Sequence, residues 1–299
     1  MPSTRMVALA SAGVVVFIAL AIWRQQRQSS SSSRGAEPKV HAHEAEQVKR
    51  DLAHLKELGE KIRSTFAWKV KAILVEDGAP IPKGAKKVHL IRHGQGHHNV
   101  AQAEWKGANK PGEPYWVSND PEFRYRDAEL TAKGEQQARD LRPRTRKLSP
   151  ELMVVSPMRR ATQTGLLAFS EHVEKGSLPV IAHESAHEIG GKHTCDQRLG
   201  LTELKRTFSA VDYSFVKDEV DPLWLDGNTR ETMEHLAGRG AELMEFLQGR
   251  DESHIVVAAH SAFLATLLNA VLVVTGNSEA ASWFGTGEMR TFIITWEKQ

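Results

Sequence analysis

The 299-residue chain carries 39 Lys and Arg against 37 Asp and Glu, a formal charge of +2, with 40% hydrophobic residues. That is enough apolar material for one large or two small domains, and the near balance of charge gives no basis for nucleic-acid binding. The single cysteine, Cys195, excludes an internal disulfide framework and any multi-cysteine zinc site.

Met6 to Trp23 is an uncharged run of 18 residues that ends at Arg24. It matches the shortest helix that spans a bilayer and is longer than a usual signal-peptide core. No small-residue cleavage site comes after it, so residues 1–24 predict an uncleaved, single-pass N-terminal membrane anchor rather than a cleaved signal or transit peptide. Arg5 on one side and Arg24 and Arg27 on the other leave the topology open. Residues 25–42, including Ser29 to Ser33, read as a flexible linker. A helix over 43–66 is predicted from Val48, Leu52, Leu55, Leu58, Ile62 and Phe66 at three- and four-residue steps. It is expected to pack on the domain 43–299, the heptads being too few for a coiled-coil stalk.

Gly78 to Gly84, with two prolines, reads as a loop. Strand patterns then fall at 87–91, 152–155, 179–182, 254–259 and 290–296, and helix patterns at 132–147, 159–170, 229–248 and 261–275. Such alternation predicts a layered α/β domain, and strands that are unbroken apolar runs suit a sheet covered on both faces. Residues 102–126, with Trp105, Tyr115, Trp116, Phe123 and Tyr125, read as an irregular insertion, either a lid or simple surface packing. Lys69, Lys71, Lys86 and Lys87 read as solvated charge.

Three strand ends carry chemistry. The first, Val88 to Ile91, runs into Arg92-His93-Gly94, placing a phosphate-binding guanidinium beside a nucleophilic imidazole. Leu152 to Val155 runs into Ser156-Pro157-Met158-Arg159-Arg160. Ile255 to Ala259 runs into His260-Ser261. In open α/β sheets ligands bind beyond the carboxyl ends of the strands, where helix N-termini also favour anions. The three turns therefore predict one phosphoryl-transfer pocket.

These residues resemble the histidine phosphatase superfamily, the phosphoglycerate mutase-like family. Arg92-His93-Gly94 with Asn99 resembles its signature, and Leu130-Thr131-x-x-Gly134-x-x-Gln137-Ala138 its next element. Ser156-Pro157-Met158-x-Arg160-Ala161-x-Gln163-Thr164 resembles its second arginine motif, and His260 its second histidine. His193 to Arg198 and Phe284 to Arg290 look most like a plant and fungal branch.

The resemblance implies a three-layer α/β/α sandwich with a mixed, mostly parallel sheet. It implies that Arg92, Asn99, Arg160 and His260, with Ser261 beside them, bind the phosphate while His93 becomes a phosphohistidine. The acid is one of two glutamates, Glu188 or Glu184. Glu188 is preferred because it precedes the glycine pair Gly190-Gly191, and its pKa is expected to be raised. Gln95, where mutases carry glutamate, Gly96 in place of a hydroxyl residue, and Ser261 in place of glycine weaken a mutase reading.

Arg159 reads as a solvated neighbour, and His97 and His98 as bystanders at the rim. A zinc site from His183, His187, His193 and Cys195 is disfavoured. The expectation is a phosphomonoester hydrolase without metal or cofactor, acting on a phosphorylated small molecule or a phosphoprotein, with no nucleic-acid partner. A phosphoglycerate mutase-like phosphotransferase and a membrane-anchored pseudoenzyme that binds phosphorylated ligands are the alternatives.

Overall fold

The computed structural model describes residues 38–107, 122–225 and 227–299. The expected anchor at 6–23 and the middle of the aromatic insertion, with Tyr115 and Trp116, lie outside them. No helix among the described residues is long and apolar enough to cross a membrane.

Eight strands form one sheet, β1 (Trp68–Leu74), β2 (Lys86–Arg92), β3 (Leu152–Val155), β4 (Val180–His183), β5 (Asp212–Phe215), β6 (His254–Ala259), β7 (Val273–Thr275) and β8 (Met289–Lys298), in the order β5-β4-β3-β6-β2-β8-β1-β7. β8 is antiparallel to β1 and β2, and every other pairing is parallel. The main helices among the described residues are α1 (Pro38–Ile62), α2 (His97–Gly107), α3 (Ala132–Asp140), α4 (Arg159–Ala168), α5 (Leu201–Thr207), α6 (Met233–Gln248) and α7 (Ser261–Thr266).

The alternation of side chains along each strand divides the core in two. Val88, Leu90, Ile255 and Val257 face Leu55 and Leu58 of α1, Leu236, Leu243 and Leu247 of α6, and Phe263 and Leu264 of α7. Ile91, Met153, Val155, Val256 and Ala258 face the opposite way, toward Ala168 and Phe169 at the end of α4 and Leu201 and Leu204 of α5. Helices therefore cover both faces of a mixed sheet. α1 packs on the domain, as its apolar stripe implies, although it begins at Pro38 rather than 43.

Several elements differ from their sequence reading. The run 132–147 breaks at Leu141, because Pro143 has no amide to donate into a continuing helix. The run 261–275 is α7, then a π-helical turn over Leu267–Val271, then β7. β1, β5 and β7 have no counterpart in the sequence reading. In β1 the alternation of Lys69 and Lys71 with buried Val70 and Ala72 is the signal that was there to read. Residues 102–107 of the insertion are helical, and Trp105 and Tyr125 pack against Cys195.

Lys86 and Lys87 are buried, not solvated. Lys86 Nζ donates to the carbonyls of Arg250 and Glu252 (2.6 and 2.8 Å), and Lys87 Nζ to that of Asp77 (2.9 Å). Their alkyl stems are covered while carbonyl oxygens replace water at the charge.

Candidate active site

The sheet order places β6 between β2 and β3, so strands distant in sequence end side by side. Arg92 pairs with Ala259 and Val155 with Ala258. The next residues along each chain segment, His93, Ser156 and His260, thus emerge at one level. The rings of His93 and His260 lie 5.1 Å apart.

His93 is buried and its Nδ1 lies 2.6 Å from the carbonyl oxygen of Gly94. A carbonyl only accepts, so Nδ1 carries the proton and Nε2 holds the lone pair. Arg160 Nε donates to that lone pair at 3.3 Å. Desolvation, then Arg160 and Arg92, hold the imidazole well below its ordinary range, so it is neutral. A neutral ring with a fixed tautomer and an available Nε2 is a competent nucleophile.

Two arginines and a second histidine surround it. Arg92 is fully buried, and Nη1 donates to the Phe284 carbonyl at 2.7 Å, while Nε and Nη2 meet no partner. Burial first, then Arg160, lowers its pKa to about 9, which leaves it cationic at neutral pH. Arg160 reaches the Cys195 carbonyl through Nη1 (2.7 Å) and Asp196 Oδ1 through Nη2 (2.9 Å). His260 Nε2 lies 2.8 Å from Ser156 Oγ, and its Nδ1 is buried without a partner. Buried polar atoms without partners are uncommon and are costly unless something binds them. Three of them, Arg92 Nε, Arg92 Nη2 and His260 Nδ1, belong to residues of this one pocket.

Glu188 meets the same site from the segment after β4. Its Oε1 accepts from the amides of Ile189 (3.0 Å) and Phe263 (3.1 Å), and Oε2 from that of Ala262 (3.3 Å), with Ser261 Oγ at 3.4 Å. The carboxyl thus sits over the start of α7, one residue beyond His260. Amide donors favour the ionised form, but burial, and then the charge of Asp196, outweigh them and raise the pKa. Glu184 is instead tied to buried Arg198 at 3.0 Å. Ser261 faces Glu188. Asn99 Oδ1 accepts from the Gly96 amide at 2.9 Å, closing the first turn of α2 as a capping side chain does.

The remaining motif residues hold the turn that presents His93. A Cβ on Gly94 would overlap the Gly134 carbonyl, and one on Gly134 would overlap the Gln95 carbonyl. Thr131 caps α3 by accepting from Gly134 N (3.1 Å), and its amide donates to the Gln95 carbonyl (2.9 Å). Gln137 accepts from Gln95 N (2.8 Å) and Thr164 from Gly94 N (3.0 Å). Backbone packs directly on backbone there, and glycine at both points is what the contact requires.

The sequence reading quoted Ser156 and Asp196 within motifs but gave them no role; Ser156 orients His260, and Asp196 orients Arg160 and also pairs with Arg230 at 3.0 Å. It also took His98 for a rim residue. His97 is exposed, but His98 is buried, its ring 5.7 Å from that of His93. Arg159 is held too, by Glu129 at 3.0 Å and the Asp127 carbonyl at 2.8 Å.

The four residues weighed for zinc do not converge. His183 stacks on Phe215 and Phe246 instead. His187 groups with Glu184 and Asp221, and His193 with Cys195 and Asp196. In the second group Asp196 is already neutralised by Arg160 and Arg230, which would repel a cation.

Residues 112–298 match the family model of the histidine phosphatase superfamily, branch 1. The chain belongs to the histidine phosphatase superfamily. "Phosphoglycerate mutase-like protein" of Arabidopsis thaliana is 34% identical over 212 residues, covering 62% of this chain and 74% of that protein. "Phosphoglycerate mutase-like protein 1" of the same plant is 32% identical over 241 residues, covering 70% and 81%. "Phosphomutase-like protein 3" of Candida albicans is 32% identical over 194 residues, covering 62% and 60%. Relatives of this histidine phosphatase superfamily member thus include plant and fungal proteins. The range matched to the superfamily begins after the His93 turn, so the reading of His93 rests on the geometry of that turn.

Proposed function

We propose that the chain is a phosphomonoester hydrolase that acts through a phosphohistidine on His93. The observation that carries this is a neutral imidazole whose Nε2 lone pair faces the Arg160 guanidinium, beside unpartnered donors of Arg92 and His260. Phosphoryl transfer asks little of a protein beyond an in-line nucleophile and fixed positive charge at the equatorial oxygens.

In the first step His93 Nε2 forms a bond to phosphorus and the ester P–O bond breaks. The Nε2 lone pair serves either Arg160 or phosphorus, so Arg160 Nε–H passes from the ring to a phosphoryl oxygen as the bond forms. Protonated Glu188 gives its proton to the leaving oxygen. In the second step water attacks phosphorus, the N–P bond breaks, and Glu188 takes the water proton. Ser156 can donate to His260 Nε2, which leaves Nδ1–H as a further donor to the phosphate. Two guanidiniums supply the charge neutralisation that each step needs.

The mutase-like names of the relatives favour one second reading, transfer of the phosphoryl group to a substrate hydroxyl instead of water.

The test uses the full chain, a panel of phosphomonoesters and radiolabelled phosphate. Wild type is expected to release inorganic phosphate and to trap an acid-labile, base-stable label that His93→Ala lacks. Phosphate migration without release supports the mutase. Unchanged turnover in His93→Ala sinks the nucleophile, and an inert wild type that still binds phosphate leaves a binding protein.

A further inference from the structure

We propose that His187 is a positioning residue: an imidazolium, protonated on both nitrogens at neutral pH, that ties the main chain at Glu188 to Asp221 and thereby sets where the Glu188 carboxyl lies. The inference rests on the reading of Glu188 as the acid.

Both ring nitrogens of His187 face groups that accept. Nδ1 lies 2.8 Å from the carbonyl oxygen of Glu188, and Nε2 lies 3.2 Å from Asp221 Oδ2. Asp221 is itself an acceptor on both oxygens, from the amides of Arg198 (2.8 Å) and Leu223 (2.9 Å). Burial works against its charge, but His187 and these two amides outweigh it and hold the carboxyl below its ordinary range, so it is a carboxylate with no proton to donate. A neutral imidazole has one N–H and would set its lone pair against one of these oxygens. Only the doubly protonated ring satisfies both contacts.

The ring and Asp221 are buried together, so the ion pair is shielded from water and from salt. The other titratable and charged groups around the ring are Glu184, which is paired with Arg198, Arg239, which is paired with Glu231, and His260. Desolvation works against the proton, but Asp221, by charge and hydrogen bond, and then Glu184, outweigh it, and the pKa of His187 is raised. A ring with both nitrogens protonated has no lone pair for a metal, so the Glu184, His187 and Asp221 grouping is an ion-pair cluster.

The consequence falls on Glu188. Its carbonyl receives His187 Nδ1–H from one side and Arg239 Nη2 (3.0 Å) from the other. Arg239 Nη1 also holds the carbonyls of Ser185 and His187, each at 2.9 Å. Two cations thus pin the backbone that carries the acid, while its carboxyl reaches toward α7. Losing the His187 proton removes one of the ring's two bonds. The charged Asp221 is the stronger partner, so the bond to Glu188 is the one released.

The test pairs direct observation with kinetics. In full-length protein with 15N-labelled histidine, His187 is identified by loss of its signals in His187→Asn. It is expected to show two N–H groups at pH 8, where an unperturbed imidazole is neutral. His187→Asn keeps a donor near Nδ1, and His187→Gln keeps one near Nε2. His187→Gln is expected to lower kcat/KM for an alkyl phosphate by about 10- to 100-fold, and His187→Asn by less. Both are expected to stay within about 3-fold of wild type on p-nitrophenyl phosphate, whose leaving group departs without an acid.

A neutral His187 ring at pH 7 overturns the proposal. So does an equal loss on both esters, or no loss on either. If neither variant folds, the wild-type spectrum decides without that assignment: no doubly protonated ring at pH 8 overturns the proposal, and one such ring protected from solvent exchange supports it. A wild type that never labels His93 refutes the phosphohistidine reading, whereas the charge of His187 is still read from its spectrum.

Discussion

Arg160 Nε donates to His93 Nε2 at 3.3 Å, so a guanidinium occupies the lone pair that the proposed mechanism directs at phosphorus. The same guanidinium is anchored behind by Asp196 and the Cys195 carbonyl. In the proposed mechanism Arg160 both holds the ring in line and binds an arriving phosphoryl oxygen. Arg160→Ala should lower kcat by about 10²-fold or more. Phosphate inhibition measured alongside should weaken in the same variant, and unaltered inhibition would place the anion elsewhere.

Glu188→Gln keeps the shape of the acid and removes its proton. In the proposed mechanism Glu188 donates as an acid; burial raises its pKa, so the limb it sets lies above the ordinary carboxyl range, and the proton is lost as pH rises through it. Activity on alkyl phosphates should therefore show an alkaline limb in wild type that Glu188→Gln lacks, with kcat/KM lower by about 10²- to 10⁴-fold. On p-nitrophenyl phosphate kcat/KM, which reports only the first step, should change little, whereas kcat should fall because water attack uses the same carboxylate as base. A profile that keeps its alkaline limb in Glu188→Gln would move the acid to another residue.

Gly94 and Gly134 touch backbone to backbone, which makes them a paired test of the turn under His93. Either glycine changed to alanine should cost about 1–3 kcal/mol in urea unfolding and reduce turnover at least about 10-fold, because the clash is relieved only by moving the turn. The double variant should cost less than the sum, since one displacement relieves both clashes.

Acid should unfold the protein from an unusually high pH. Burial holds His89 and His193 down to about 3, with His254 adding to the effect on His89 and Arg230 to that on His193. His93, His98 and His260 lie well below their ordinary range, first through burial. The unfolded chain protonates such rings near 6.5 while the folded chain does not, so stability present above that pH is lost as pH falls toward 3. One pH unit below the unfolded value costs about 1.4 kcal/mol per ring. Asp77, held at about 2 chiefly by its hydrogen bond to Arg144, extends the loss below pH 4. His187 contributes in the opposite sense, its stabilisation present at low pH and lost as pH rises through its raised pKa. Urea midpoints at pH 7.5, 5.5 and 4.5 check this, and a flat series would contradict the burial of these rings.

The apolar runs of β2, β3 and β6, and the Arg-His, Arg-Arg and His turns that end them, could be read directly because their meaning is local. A buried strand declares itself by composition, and its end by the glycine, proline or polar residues that interrupt the run. The order of the strands is not local. Only tertiary packing inserts β6 between β2 and β3, and that insertion brings His260 and Ser156 to His93. Local pattern also could not show that Lys86 and Lys87 would find carbonyl oxygens inside the domain, or that α7 would give way to a π turn and a strand. The charge states were decided last and by the fold alone. Whether an imidazole can serve as a nucleophile, as proposed for His93, or stands as a cation, as proposed for His187, depends on which atoms meet its two nitrogens after burial. Those atoms, the carbonyls of Gly94 and Glu188 and the carboxylate of Asp221, carry no signature in the linear chain.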